Sequence, residues 1–157
     1  MESLFGQSGQ RKEISPSSLG IKHLDSSSDR RTILLVEDNR VNQVVAKNLL
    51  EGIGFTCDIA GNGHEACDAV RSGKYALVLM DCQMPEMDGF EATDLIRDWE
   101  RERGLKRLPI IALTANATTT DIQKCLDAGM DAYCSKPINP TVLFREIERF
   151  LGDNIAT

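Results

Sequence analysis

From Arg31 to about Gly152, short apolar runs rich in β-formers alternate with stretches of helical period, and no other feature of the chain constrains its fold as strongly. The pattern predicts strands at Thr32–Glu37 (TILLVE), Thr56–Ala60 (TCDIA), Ala76–Met80 (ALVLM), Ile110–Thr114 (IIALT) and Ala132–Ser135 (AYCS). Three of these runs, ILLV, ALVLM and PIIAL, are almost continuously apolar, as strands buried on both faces must be. The intervening segments predict helices near Val41–Ile53, Gly63–Ser72, Phe90–Arg103, Thr118–Ala128 and Pro140–Leu151. In the last of them, Leu143, Ile147, Phe150 and Leu151 fall at i, i+4, i+7 and i+8, one stripe facing a core. Five βα units imply an α/β fold, a doubly wound five-stranded parallel sheet with helices on both faces.

At 157 residues there is room for one such domain and some additional chain. Residues 1–30, with SPSSLG and LDSSSDRR, carry almost no periodic hydrophobicity and read as a flexible linker or tail. The folded domain is expected over 31–152, a C-terminal tail over 153–157, and no output domain downstream. An apolar content of 41% with 27% charged residues is ordinary for a globular domain, and no apolar run approaches the roughly eighteen residues of a membrane span. The N-terminus has neither the apolar stretch nor the small-residue site of a secretory signal, so the cytoplasm is the expected location. A net charge of −6 opposes a nucleic-acid surface, and the short RERGLKR segment reads as a solvated helix end. Cys57, Cys67, Cys82, Cys125 and Cys134 form no CxxC pair and lie in apolar or helical patterns, which suits buried thiols better than a zinc site.

In open parallel sheets the ligand crevice lies beyond the carboxyl ends of the strands. Here strand one ends in Glu37-Asp38, strand three in Asp81, strand four in Thr114 and strand five in Ser135-Lys136. Taken singly, each residue has a plain structural reading: a helix cap, a β-branched strand residue, a solvated lysine. Taken together they deliver three carboxylates, a hydroxyl and an ammonium to one edge. At about 4 Å and an effective dielectric near 20, each like-charge carboxylate pair costs on the order of 4 kcal/mol, so a proton or a cation must join them. A hard oxygen donor set without His or Cys favours Mg²⁺, and Lys136 adds a fixed positive charge. Such a pair is an electrostatic clamp for a transferring phosphoryl group, with the central Asp81 as nucleophile, Asp38 and Glu37 toward the metal, and Thr114 as hydroxyl donor.

The segments ILLVEDNRVNQ, LVLMDCQMPEMDGFEAT, PIIALTANA and CLDAGMDAYCSKPI closely resemble, in order and spacing, the receiver domains of two-component signalling. They look most like receivers fused to hybrid histidine kinases. The resemblance covers about residues 31–152. It implies the flavodoxin-like strand order 2-1-3-4-5, Asp81 as phosphoacceptor, and Mg²⁺ held by Glu37, Asp38, Asp81 and the backbone carbonyl of Gln83. It further implies Lys136 as phosphate partner, Thr114 and Tyr133 as switch residues, and a cis Lys136-Pro137 bond. The implied partners are a histidine kinase or a histidine phosphotransfer domain, with the domain itself a monomer or weak dimer. Cys134 departs from the larger apolar residue more usual in the family. In the MPEMDG loop, Pro85 stiffens the chain, Asp88-Gly89 turns it, and Met84 and Met87 can pack beneath the crevice.

Such a domain is self-phosphorylating and has no turnover reaction of its own. The alternative is a pseudo-receiver, an interaction module that is never phosphorylated, against which the intact acceptor residues argue. An aspartyl-phosphate hydrolase would want a second acid where Gln83 stands. A dinucleotide-binding enzyme would want a glycine-rich turn where EDNRVN follows the first strand.

Overall fold

The computed structural model describes residues 32–152; the tail readings for 1–30 and 153–157 lie outside the described residues. The elements are β1 (Thr32–Val36), α1 (Arg40–Gly52), β2 (Thr56–Ala60), α2 (Gly63–Val70), β3 (Leu77–Asp81), α3 (Gly89–Arg103), β4 (Ile110–Thr114), α4 (Thr119–Ala128), β5 (Ala132–Ser135) and α5 (Pro140–Leu151). All strand pairs are parallel, in the order β2-β1-β3-β4-β5. The doubly wound topology expected from the alternation, and the order implied by the resemblance, are both present.

Each helix opens on a polar cap that satisfies an otherwise orphaned N–H. The side chains of Asn39, Asn62, Asp88, Thr118 and Asn139 accept from Asn42, Glu65, Glu91, Asp121 and Thr141 respectively. Asp38 and Asp81, the two aspartates a cap reading would have absorbed, are not among these caps.

Alternation along the central strands sorts the core into two layers. Leu34, Val36, Val78, Met80, Ile110 and Ala112 pack toward α2, α3 and α4. Ile33, Leu35, Leu77, Leu79, Ile111 and Leu113 pack toward α1 and α5, where Leu143 and Ile147 of the predicted stripe are fully covered. Each such Leu or Ile contributes about 1.5–3 kcal/mol of burial. All five cysteines are buried and free.

Three strand boundaries differ from expectation, two of them at the crevice, and the first four helices differ by one or two residues at one or both ends. Strand β1 stops at Val36, because the Glu37 carbonyl accepts from the Gln43 side chain, although its N–H still donates to Ala60. Strand β3 begins one residue late and includes Asp81, since the ladder continues with the Cys82 N–H donating to Leu113.

Candidate functional site

Strands β1 and β3 are neighbours in register, Val36 beside Met80, so the next residue of each, Glu37 and Asp81, emerges at the carboxyl edge side by side. Both are only 2% exposed, whereas Asp38 reaches solvent. One carboxylate oxygen from each of Glu37, Asp38 and Asp81 lies within 4.8 Å of the others.

Strand β5 lies two strand spacings from β3, roughly 10 Å, so only a long side chain from its end reaches the acids. Lys136 does so: its Nζ stands 3.1 Å from Asp81 Oδ2 and 3.2 Å from Glu37 Oε1. The Lys136-Pro137 peptide is cis. The other Asp81 oxygen, Oδ1, accepts the Gln83 N–H at 3.1 Å.

Burial pushes the Asp81 carboxyl up to about 6; the Gln83 N–H and Lys136 oppose this, and the Glu37 charge adds to it. Burial alone would lower Lys136, but the Asp81 and Glu37 carboxylates outweigh it and the net direction is upward. One ammonium therefore leaves Asp81 undercompensated, and three converging carboxylates fit a hard divalent cation by both charge and donor type.

The Asp81 carbonyl also shapes the following loop. A Cβ on Gly89 would sit 2.3 Å from that oxygen, so only glycine lets α3 start beneath β3. Met84 and Met87 are buried under this loop, as its sequence suggests.

Thr114, at the end of β4, is buried, but its hydroxyl faces the next loop, donating to the Asn116 carbonyl at 2.9 Å and accepting the Asn116 N–H at 3.1 Å. Tyr133 is not in the crevice. Its side chain is 40% exposed and lines a surface cleft of about 410 Å³ with Ile122, Leu126 and Val142.

The response regulator receiver domain family matches residues 33–148. The chain belongs to that family. Among curated relatives, the receiver is 47% identical over 129 residues to hybrid signal transduction histidine kinase B of Dictyostelium discoideum, covering 76% of this chain. It spans only 7% of the length of that kinase. A co-crystal structure of the Saccharomyces cerevisiae histidine phosphotransfer signalling protein Ypd1 with the receiver domain of its downstream response regulator Ssk1 matches with a TM-score of 0.75. Identity there is 32%, over 79% of this chain and 90% of that one. The receiver domain of sensor histidine kinase PA1611 from Pseudomonas aeruginosa, with a magnesium ion coordinated in its active-site cleft, matches with a TM-score of 0.70. Identity is 43%, over 78% of this chain and 98% of that one.

Some features of the receiver's crevice escaped the sequence reading. Asn39 N–H and Asn42 Nδ2 both approach Glu37 Oε2, at 3.2 and 3.5 Å, and Gln43 holds the Glu37 carbonyl at 2.7 Å. A cap asparagine before a helix was a readable signal for Asn39; Gln43 closes the ILLVEDNRVNQ segment of the resemblance, but nothing in the sequence marks its bond to the Glu37 carbonyl. In the loop after Asp81, Glu86 adopts φ 66°, which no glycine or asparagine announced.

Proposed function

We propose that this receiver takes a phosphoryl group from phosphohistidine onto Asp81, with Mg²⁺ bound at the crevice, and then switches conformation or passes the group on. The observation that carries this reading is Lys136 Nζ spanning Asp81 and Glu37 in a buried acidic crevice. Glu37, Asp38 and Asp81 would hold the metal, with the Gln83 carbonyl that the family pattern adds. Bound there, Mg²⁺ supplies charge neutralisation to the phosphoryl oxygens.

The remaining work falls to the chain's own residues. An Asp81 carboxylate oxygen attacks phosphorus in line, an O–P bond forms and the P–N bond breaks. The leaving ring takes the P–N electron pair and departs as neutral imidazole when it enters protonated. Lys136 trades its carboxylate contacts for the phosphoryl oxygens, where charge accumulates. Thr114 releases Asn116 and donates its hydroxyl to the acyl phosphate, and Tyr133 moves inward from its exposed position as β4 and β5 adjust. The product is a modified domain, so no turnover reaction follows.

The expected donor is a histidine phosphotransfer domain or a histidine kinase acting in the cytoplasm. Support for its docking place comes from α1, which starts two residues after Asp38 and exposes Val41, Val44 and Val45 by 69%, 54% and 50%.

Intact mass after incubation with acetyl phosphate tests the reading. A Mg²⁺-dependent gain of one phosphoryl group in the wild type, absent from Asp81→Asn, is expected. No adduct in either protein, together with failure to bind beryllofluoride, overturns it in favour of a pseudo-receiver.

A further inference from the structure

Glu37 is held through its backbone as well as its side chain. Its N–H donates to Ala60 at 3.0 Å, and its carbonyl accepts from Gln43 Nε2 at 2.7 Å. Gln43 sits on the first turns of α1, six residues further on, so this bond ties the end of β1 to the helix across the intervening loop. The carbonyl it grips is half of the Glu37–Asp38 peptide, the plane from which two of the three converging carboxylates depart. The Glu37 carboxylate has anchors of its own in Lys136 and the Asn39 N–H. Asp38 is exposed and makes no side-chain hydrogen bond or ion pair among the described residues, so the orientation of its peptide is what aims it toward Asp81.

We infer that Gln43 is a positioning residue for the cation site: its amide fixes the Glu37–Asp38 peptide so that the Asp38 carboxylate is set toward Asp81 before the ion arrives. The inference rests on the reading of the crevice as a Mg²⁺ site. Without the amide, the Glu37 carbonyl bonds water, the peptide gains rotational freedom, and ordering Asp38 is charged against cation binding. Groups that orient ligands from behind typically change metal affinity by about 10–100-fold when removed. A loop carbonyl satisfied merely for folding would show its loss in stability instead.

The test compares the full chain with Gln43→Met, which keeps length and removes the donor, and with Gln43→Glu, which removes the donor and adds a negative charge. Mg²⁺ affinity is read by titration calorimetry, stability by urea unfolding in chelator, and the rate of phosphorylation by acetyl phosphate at saturating Mg²⁺. Gln43→Met is expected to bind Mg²⁺ about tenfold more weakly, with a near-wild-type rate once the ion saturates. Gln43→Glu is expected to weaken binding as well, opposite in sign to the attraction its charge would add. Affinities within about twofold of wild type for Gln43→Met, or tighter binding by Gln43→Glu, overturn the inference alone. A wild type that takes up no Mg²⁺ overturns the reading of the crevice and this inference with it.

Discussion

Lys136 Nζ stands 3.1 Å from Asp81 Oδ2 although the two residues leave strands that do not touch, with β4 between them. The ammonium crosses β4 because two buried carboxylates draw it there, and on the proposed function it would also meet the incoming phosphoryl group. Lys136→Met keeps the stem and removes the charge. The rate of acyl phosphate formation at saturating Mg²⁺ is expected to fall by about 10²–10³-fold, the usual cost of one preorganised donor to a developing anion. A loss under about threefold in stopped-flow or mass-resolved kinetics would place Lys136 outside the transfer step.

Asp81 is held out of water with its charge only partly compensated, and burial is the main reason its carboxyl titrates near 6. In chelator at neutral pH, Asp81→Asn is therefore expected to be more stable than wild type, by on the order of 2–3 kcal/mol. Adding Mg²⁺ should raise the wild-type urea midpoint and leave the variant's nearly unmoved. Equal midpoints in chelator would mean that the carboxylate is adequately solvated.

Tyr75 donates its hydroxyl to Asp58 at 2.8 Å, beside Lys74, which pairs with the same carboxylate. Burial first, then Asp58, pushes the phenol up to about 12 from 10.0. A folded-state value above the unfolded one means that the stabilisation is complete below pH 10 and disappears as pH rises through about 12. The difference in phenolate absorbance between wild type and Tyr75→Phe should titrate above pH 11 in the folded protein. A difference titration centred near pH 10 would mean that the hydrogen bond is absent in solution.

At the opposite edge of the sheet, Arg97 binds Glu100, Asp131 and the carbonyls of Gly129 and Leu108, all at 2.8–3.0 Å and largely buried. Arg97→Ala strips Glu100 of its cation and takes from Asp131 one of two arginines, Arg107 remaining at 2.8 Å, and should cost about 3 kcal/mol in urea unfolding. Arg101→Ala, which breaks only an exposed pair with Asp98, should cost less than about 1 kcal/mol. Similar losses for the two would deny the buried network its structural role.

Glu86 occupies a left-handed backbone conformation at φ 66° in the loop that follows β3. Glu86→Gly relieves that strain and, after the added freedom of the unfolded chain, should stabilise the domain by about 0.5–1 kcal/mol. A destabilised variant in thermal unfolding would show that the glutamate side chain holds the loop by other means.

The elements were legible because the three central strands are nearly all apolar and the helices repeat with their own period; β2, β4, β5 and α5 were read at their observed bounds. The edge on which Glu37, Asp38, Asp81 and Lys136 meet was legible too, since parallel strands put every carboxyl end on one side. The end of β1 was misread by one residue, because whether Glu37 stays in the ladder depends on Gln43, a contact between a loop and a helix turn that leaves no periodic trace. The engagement of the Thr114 hydroxyl with the Asn116 backbone was equally hidden, since a rotamer follows from the neighbours present and not from residue type.

The sequence by itself determined that the sheet is buried on both faces and that its acids, hydroxyl and lysine gather at one edge. Burial and strand polarity are encoded locally, residue by residue, through apolar periodicity and capping. Only the tertiary structure decided that Lys136 reaches past β4 to lie between Asp81 and Glu37, that Gln43 grips the peptide before Asp38, and that Tyr133 stands outside the site. Those relations are set by how the helices pack across the sheet and by which strands become neighbours, and neither leaves a local trace in the sequence.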